Sequence, residues 1–137
     1  MDVEVNYLAV LLAMLSSMVV GSIWYAKAVF GQTWIKLAKV DIKNADPVKP
    51  IIITMVVSLI TAYVLAHVTY LSNQHFGNSF LQDALSTAFW VWLGFTAARF
   101  ITHDAFEGRP MKLTAINLGN EFVTIMLMGL IIGLIGI

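Results

Sequence analysis

Four long apolar stretches, at about 6–28, 47–71, 80–103 and 110–136, divide the chain, with short polar connections between them. Each has the length that carries a helix across a bilayer, since roughly 20 residues span about 30 Å of hydrocarbon. The segment at about 30–43 follows a different pattern. Trp34, Leu37, Ala38 and Ile42 fall roughly on one face, while Gln32, Lys36, Lys39 and Lys43 form a polar stripe. This predicts a short amphipathic helix in the membrane interface, its lysines toward anionic headgroups. An ordinary cytosolic loop is the plainer alternative. The expected fold is all-α: one transmembrane domain over 1–137, an integral membrane four-helix bundle with a short interfacial helix between helices one and two.

Local signals support these boundaries. Asp46-Pro47 reads as the N-cap and first residue of helix two, because proline there lacks only a donor that would be unpaired anyway. Ser79 with Gln82 is a capping-box signature for helix three. Gly108 and Pro110 punctuate the charged connection before helix four. Ala26-Lys27-Ala28 has the form of a signal-peptidase site. Asp2 and Glu4 stand where a positive n-region belongs, however, and the run is too long for an h-region, so helix one is expected to remain.

Composition agrees with the pattern. Hydrophobic residues make up 59% of the 137 and charged residues 12%, with mean hydropathy +0.82. Soluble domains hold about 45–50% apolar and about 25% charged residues. The net charge is zero and no basic-aromatic cluster occurs, so no nucleic-acid partner is expected. With no cysteine, disulfides and thiolate metal sites are excluded. The eight Lys and Arg residues all lie within Lys27–Lys49 or Arg99–Lys112. The positive-inside rule then puts both termini on the outer, periplasmic side and the basic connections in the cytoplasm.

Candidate chemistry centres on helix four, where Asn117, Asn120, Glu121 and Thr124 interrupt an apolar run. At 1.5 Å per residue, Glu121 lies about 16 Å along a helix that starts near Pro110, close to the midplane. Asn117 and Thr124 share its face and Asn120 flanks it. An ionisable side chain at that depth is expected to face the bundle or a water-filled cavity. Arg99, about one turn from the inner end of helix three, is the cation expected to reach it, which would make a buried clamp that fixes packing.

Other polar groups have simpler readings. His103, Asp104, Glu107 and Arg109 form an inner-face polar cluster, more simply a solvated turn. His67, His75 and His103 show no metal-ligand spacing, so no metal is expected, and no cofactor motif or catalytic signature appears. Thr54, Ser58 and Thr61 make a hydroxyl stripe on helix two. Small residues mark expected packing surfaces: Ala9, Ala13, Ser17 and Gly21 on helix one, and the GxxxG of Gly129 and Gly133 on helix four. Trp24 and Tyr25 suit an aromatic belt. Of Trp90 and Trp92, one is expected to face another helix. Phe30–Leu37 echoes Phe106–Leu113, which suggests two parallel helix pairs.

Four short motifs carry a resemblance: Gly21-Ser22-Ile23-Trp24-Tyr25, Phe30-Gly31-Gln32-Thr33-Trp34, Phe106-Glu107-Gly108-Arg109-Pro110 and Ile116-Asn117-Leu118-Gly119. With them the chain resembles the small four-helix bacterial membrane proteins of domain-of-unknown-function family 1761. That resemblance implies a four-span integral membrane protein and supplies no activity. Small multidrug exporters are similar in size, but their membrane glutamate belongs to the first helix, which carries none within the span here. The expectation is a non-enzymatic, homo-oligomeric accessory protein of the bacterial inner (cytoplasmic) membrane, partnered by the lipid bilayer and held by a Glu121–Arg99 clamp. The alternative is a small proton-coupled transporter or channel for a proton or small solute, with Glu121 as its titrating site. An enzyme acting on lipid, resting on the inner-face cluster, comes third.

Overall fold

The computed structural model describes residues 3–137, so Asp2 lies outside the described residues. The elements are α1 (Tyr7–Trp24), a π-helical turn (Lys27–Gly31), α2 (Gln32–Ala38), α3 (Val48–Phe76), α4 (Phe80–Val91), a second π-helical segment (Trp92–Ala97), α5 (Ala98–Phe106) and α6 (Met111–Ile135). Among the described residues there is no strand. The segments from Phe80 to Phe106 form one continuous span. With α1, α3 and α6 it makes four helices long and apolar enough to cross a membrane. The all-α four-helix membrane bundle is therefore the architecture found.

The ends of the helices follow backbone hydrogen bonding, and hydropathy only approximates them. Asn6 caps α1, its Oδ1 accepting from the N–H groups of Leu8 and Ala9 at 3.1 and 3.2 Å. The helix stops at Trp24, short of the expected 28, because the chain turns there into the π-helical segment. Gly31 allows this turn: a Cβ at that position would collide with the carbonyl oxygens of Tyr25 and Ala26. The amphipathic helix is also shorter than 30–43. It ends at Ala38, where Lys39 takes a left-handed conformation with φ 54°. Asp46 accepts from the Val48 N–H at 2.9 Å, as an N-cap before Pro47 should. α3 runs on past the apolar stretch to Phe76, and Gly77 ends it at φ +67°. Half of the capping box forms, Ser79 Oγ accepting from the Gln82 N–H at 3.3 Å. Phe30–Leu37 is helical whereas Phe106–Leu113 contains a turn, so the sequence echo is not an echo of conformation.

The spans pack in chain order around four corners. α1 and α4 each lie against both α3 and α6, and α3 meets α6 only lightly across the diagonal. At the end near the α3–α4 connection the bundle is closed by apolar residues: Ala9, Val10 and Ala13; Ala62, Leu65 and Ala66; Ala88; and Ile125, Met128 and Ile132. Gly129 and Gly133 bring α6 hard against α4. A Cβ on Gly129 would stand 2.7 Å from that of Ala88, and one on Gly133 2.8 Å from Leu81 Cα. The GxxxG thus serves packing within the chain, the close approach that helix association in lipid rewards. Ala13 and Ser17 are buried in α1, while Gly21 faces open space.

The opposite end is split. Every residue of α3 from Val48 to Val57 is exposed, so this half of the helix stands away from its neighbours. Burial begins at Ser58 and recurs at Ala62, Leu65, Ala66 and Thr69. One straight helix therefore belongs to a dry core at one end and to an open wall at the other.

Candidate functional site: a polar cleft beside Glu121

Splitting the bundle leaves a cleft of about 580 Å³ between α1, α3 and α6. Its α6 wall carries Asn120, Glu121 and Thr124, and its α3 wall carries Thr54, Ser58 and Thr61. Ser17, Gly21 and Ser22 contribute from α1, and Tyr25 from the residue that follows it. From Pro50 to Thr61 the α3 wall extends about 16 Å at the helical rise. The hydroxyl stripe of helix two and the polar face of helix four thus meet across one space. This volume falls within the ~300–1,000 Å³ of ordinary ligand pockets.

The lining is rich in hydrogen-bond acceptors. Thr54 donates its hydroxyl to the Pro50 carbonyl at 2.8 Å, and Thr61 donates to Val57 at 3.0 Å. Ser17 and Ser22 donate to Met14 and Met18, each at 2.7 Å. Each of these four hydroxyls therefore spends its only proton inside its own helix, which leaves its lone pairs free to accept. Asn120 also lines the cleft, but its Oδ1 is covered by protein and has no hydrogen-bond partner among the described residues.

The clamp expected between Glu121 and Arg99 is not present. Among the described residues the ion pairs are those of Arg109 with Asp104 and Glu107. Geometry explains why. α6 meets helix three through Phe122, whose ring lies 4.8 Å from Trp92, and through Gly129 and Gly133. Glu121 precedes Phe122 and so points about 100° away around the helix, toward α1 and α3. Arg99 is exposed on α5.

Asn117 leaves the cleft to its neighbours and closes its end instead. Its Oδ1 accepts from the Tyr25 hydroxyl and from the Trp34 indole N–H, both at 3.0 Å. The Tyr25 and Trp34 rings meet edge to face at 5.4 Å. Trp24 Nε1 donates to the Ile116 carbonyl at 3.0 Å, and its ring lies over Gly119, where a Cβ would stand 2.8 Å from the indole. α2 is thereby tied to α6, with Gln32 and Lys36 exposed and Trp34, Ile35 and Leu37 half-buried.

Three of the four sequence motifs are thus parts of this one latch. The fourth, Phe106–Pro110, makes the turn into α6. Residues 8–133 match the family described as a protein of unknown function, DUF1761. The chain belongs to the DUF1761 family. No curated protein and no solved structure matches it.

The remaining candidates of this DUF1761 chain sit away from the cleft. Asp104 is buried and accepts from Thr114 Oγ1 at 2.6 Å, while Arg109 Nε lies 3.7 Å from its Oδ1. Glu107 joins through Arg109, but His103 is exposed, so the inner-face cluster reduces to a hairpin staple. Trp92 is the tryptophan that faces helix four, and Trp90 is exposed. Sequence reasoning missed a third polar unit at the other end. Buried Asp83 accepts from the side-chain amides of Asn73 at 2.8 Å and Asn78 at 3.0 Å, which pins the α3–α4 connection. An acid in the first turn of a helix after an asparagine-rich loop was the available signal.

Proposed function

We propose that the protein is a non-enzymatic multi-pass protein of the bacterial inner membrane in which Glu121 binds and releases a proton, or holds a small polar solute, inside the cleft. One observation carries this reading. Glu121 lines a polar space and makes no ion pair among the described residues, so its charge is open to neutralisation by something that comes and goes. An intramembrane carboxylate of that kind marks a proton or solute path in its own right. The distribution of Lys and Arg supports an orientation with both termini outside and the α2 end of the cleft toward the cytoplasm.

The test follows the carboxyl band in infrared difference spectra through a pH titration, with proton flux in proteoliposomes. Wild type should show a titrating carboxyl that Glu121→Gln removes, and a pH-dependent flux lost in the same variant. A spectrum indifferent to Glu121, with no flux in either protein, would sink the reading. A second reading, a homo-oligomer in which another copy covers the split end, is favoured by the exposure of α3 over Val48–Val57. A molar mass in detergent equal to one chain would remove it.

A further inference from the structure

Proton binding alone leaves most of the cleft unexplained. A space of about 580 Å³ far exceeds what a proton path needs, and its walls are of two kinds. The polar side offers acceptors: the Glu121 carboxylate and the hydroxyl oxygens of Ser17, Thr54 and Thr61, whose protons are already committed. Interspersed with these are Ile51, Ile53 and Val57 of α3 and the flexible side chains Met18 of α1 and Met128 of α6. Methionine adapts its shape to varied apolar partners. Among the lining residues there is no lysine or arginine to receive an anion. The exposed half of α3 leaves the space open at the side, where lipid would lie.

We propose that the cleft binds a lipophilic ammonium, a cation with N–H donors on an apolar body, which enters from the membrane between α1 and α3. The ammonium N–H groups meet the Glu121 carboxylate and a neighbouring hydroxyl oxygen of the cleft wall, and the apolar body lies on Ile51, Val57 and the methionines. Tyr25 adds a ring at the latch end, within the class of contacts that attract cations. A quaternary ammonium would satisfy the charge and leave the acceptors unmatched. An N–H-bearing amine satisfies both.

The inference rests on the Glu121 reading and extends it. The proton and the ammonium compete for one carboxylate, so binding weakens as pH falls through the titration of Glu121. Tyr25, just after α1, is the other titratable side chain among the lining residues; the α1, α3 and remaining α6 lining residues supply none.

The probe is 1-naphthylmethylamine, with 1-naphthylmethanol and 1-naphthylacetate as uncharged and anionic analogues of one ring system. Binding to the purified full-length protein in a neutral detergent is followed by equilibrium dialysis. Saturable binding of the amine is expected, at least tenfold tighter than either analogue and at least tenfold weaker in Glu121→Gln. Gly21→Phe is the second variant. An added Cβ at Gly21 meets nothing within 4 Å, so the ring should fill the cleft and block binding while Glu121 remains and the fold is kept. Equal binding of the three probes, or amine binding unchanged in both variants, would overturn the proposal. If the Glu121 carboxyl titrates normally and the amine still does not bind, the proton reading stands and this inference alone falls.

Discussion

α6 has two working sides, and they are built on opposite principles. Toward α4, Gly129 and Gly133 remove side chains so that the helices touch backbone to side chain. Toward α1 and α3, Asn120, Glu121 and Thr124 line a cleft. In lipid there is little hydrophobic drive to bring helices together, so contact area and hydrogen bonds decide what closes. The seam closes because its residues are small. The cleft stays open because α3 offers it hydroxyls that are already bonded within their own helix.

The largest effect expected from this contrast comes from exchanging one glycine on each side for leucine. At Gly129 the new side chain would begin 2.7 Å from Ala88 Cβ and 3.1 Å from the Ala84 carbonyl oxygen. Overpacking of that kind costs about 1–3 kcal/mol and sometimes more, so Gly129→Leu should melt well below wild type in detergent. Gly21→Leu meets open space and should melt close to wild type. Equal losses at both positions would show that the cleft is a packed interface like the seam.

The next effect belongs to the latch that bounds the cleft. Asn117→Ala removes the single acceptor shared by Tyr25 and Trp34. Leaving partly buried donors without partners costs about 1–3 kcal/mol. α2 should loosen from α6, seen as a lower melting temperature and faster proteolysis between Ala38 and Val48. Asn117→Asp keeps an acceptor and should retain the contact of α2. If alanine and aspartate behave alike, the two hydrogen bonds do not hold α2.

The latch also marks how far a sequence can be read. Four spans, the cap at Asp46-Pro47 and the amphipathic character of α2 were legible, because hydropathy and capping are local properties. The polar face of α6 was legible too, since helical spacing alone puts Glu121 and Thr124 on one side. Their partners were not legible. Trp24 and Tyr25 fit an aromatic belt equally well, and only the π-helical turn permitted by Gly31 brings Tyr25 and Trp34 to the same oxygen. The Arg99 clamp failed for a related reason. Depth along a helix follows from residue counting, but the direction in which α6 presents Glu121 depends on which neighbour Gly129 and Phe122 engage. That direction is a tertiary fact.

A smaller effect is expected where a clamp would have given a large one. Breaking a buried ion pair by removing one partner costs about 3–5 kcal/mol. Glu121 has no such partner among the described residues, so Glu121→Gln should change stability by less than about 1 kcal/mol, a small shift in melting temperature. A loss of several kcal/mol would mean that the carboxylate holds the bundle together and that the cleft is incidental.

The smallest expected effect is a coupling energy. Arg99 is exposed on α5 and contacts no acid among the described ion pairs. Its long side chain is free to carry the guanidinium toward the headgroups. The two single variants, Arg99→Gln and Glu121→Gln, and the double variant complete a thermodynamic cycle. Sites with no shared partner add within about 0.3–0.5 kcal/mol, so the coupling should vanish within that range at neutral pH. A favourable coupling of 2 kcal/mol or more on the same cycle would restore the clamp. It would also collapse the contrast between the two sides of α6, because the cleft would then be another packing surface with a charge pair in place of glycine.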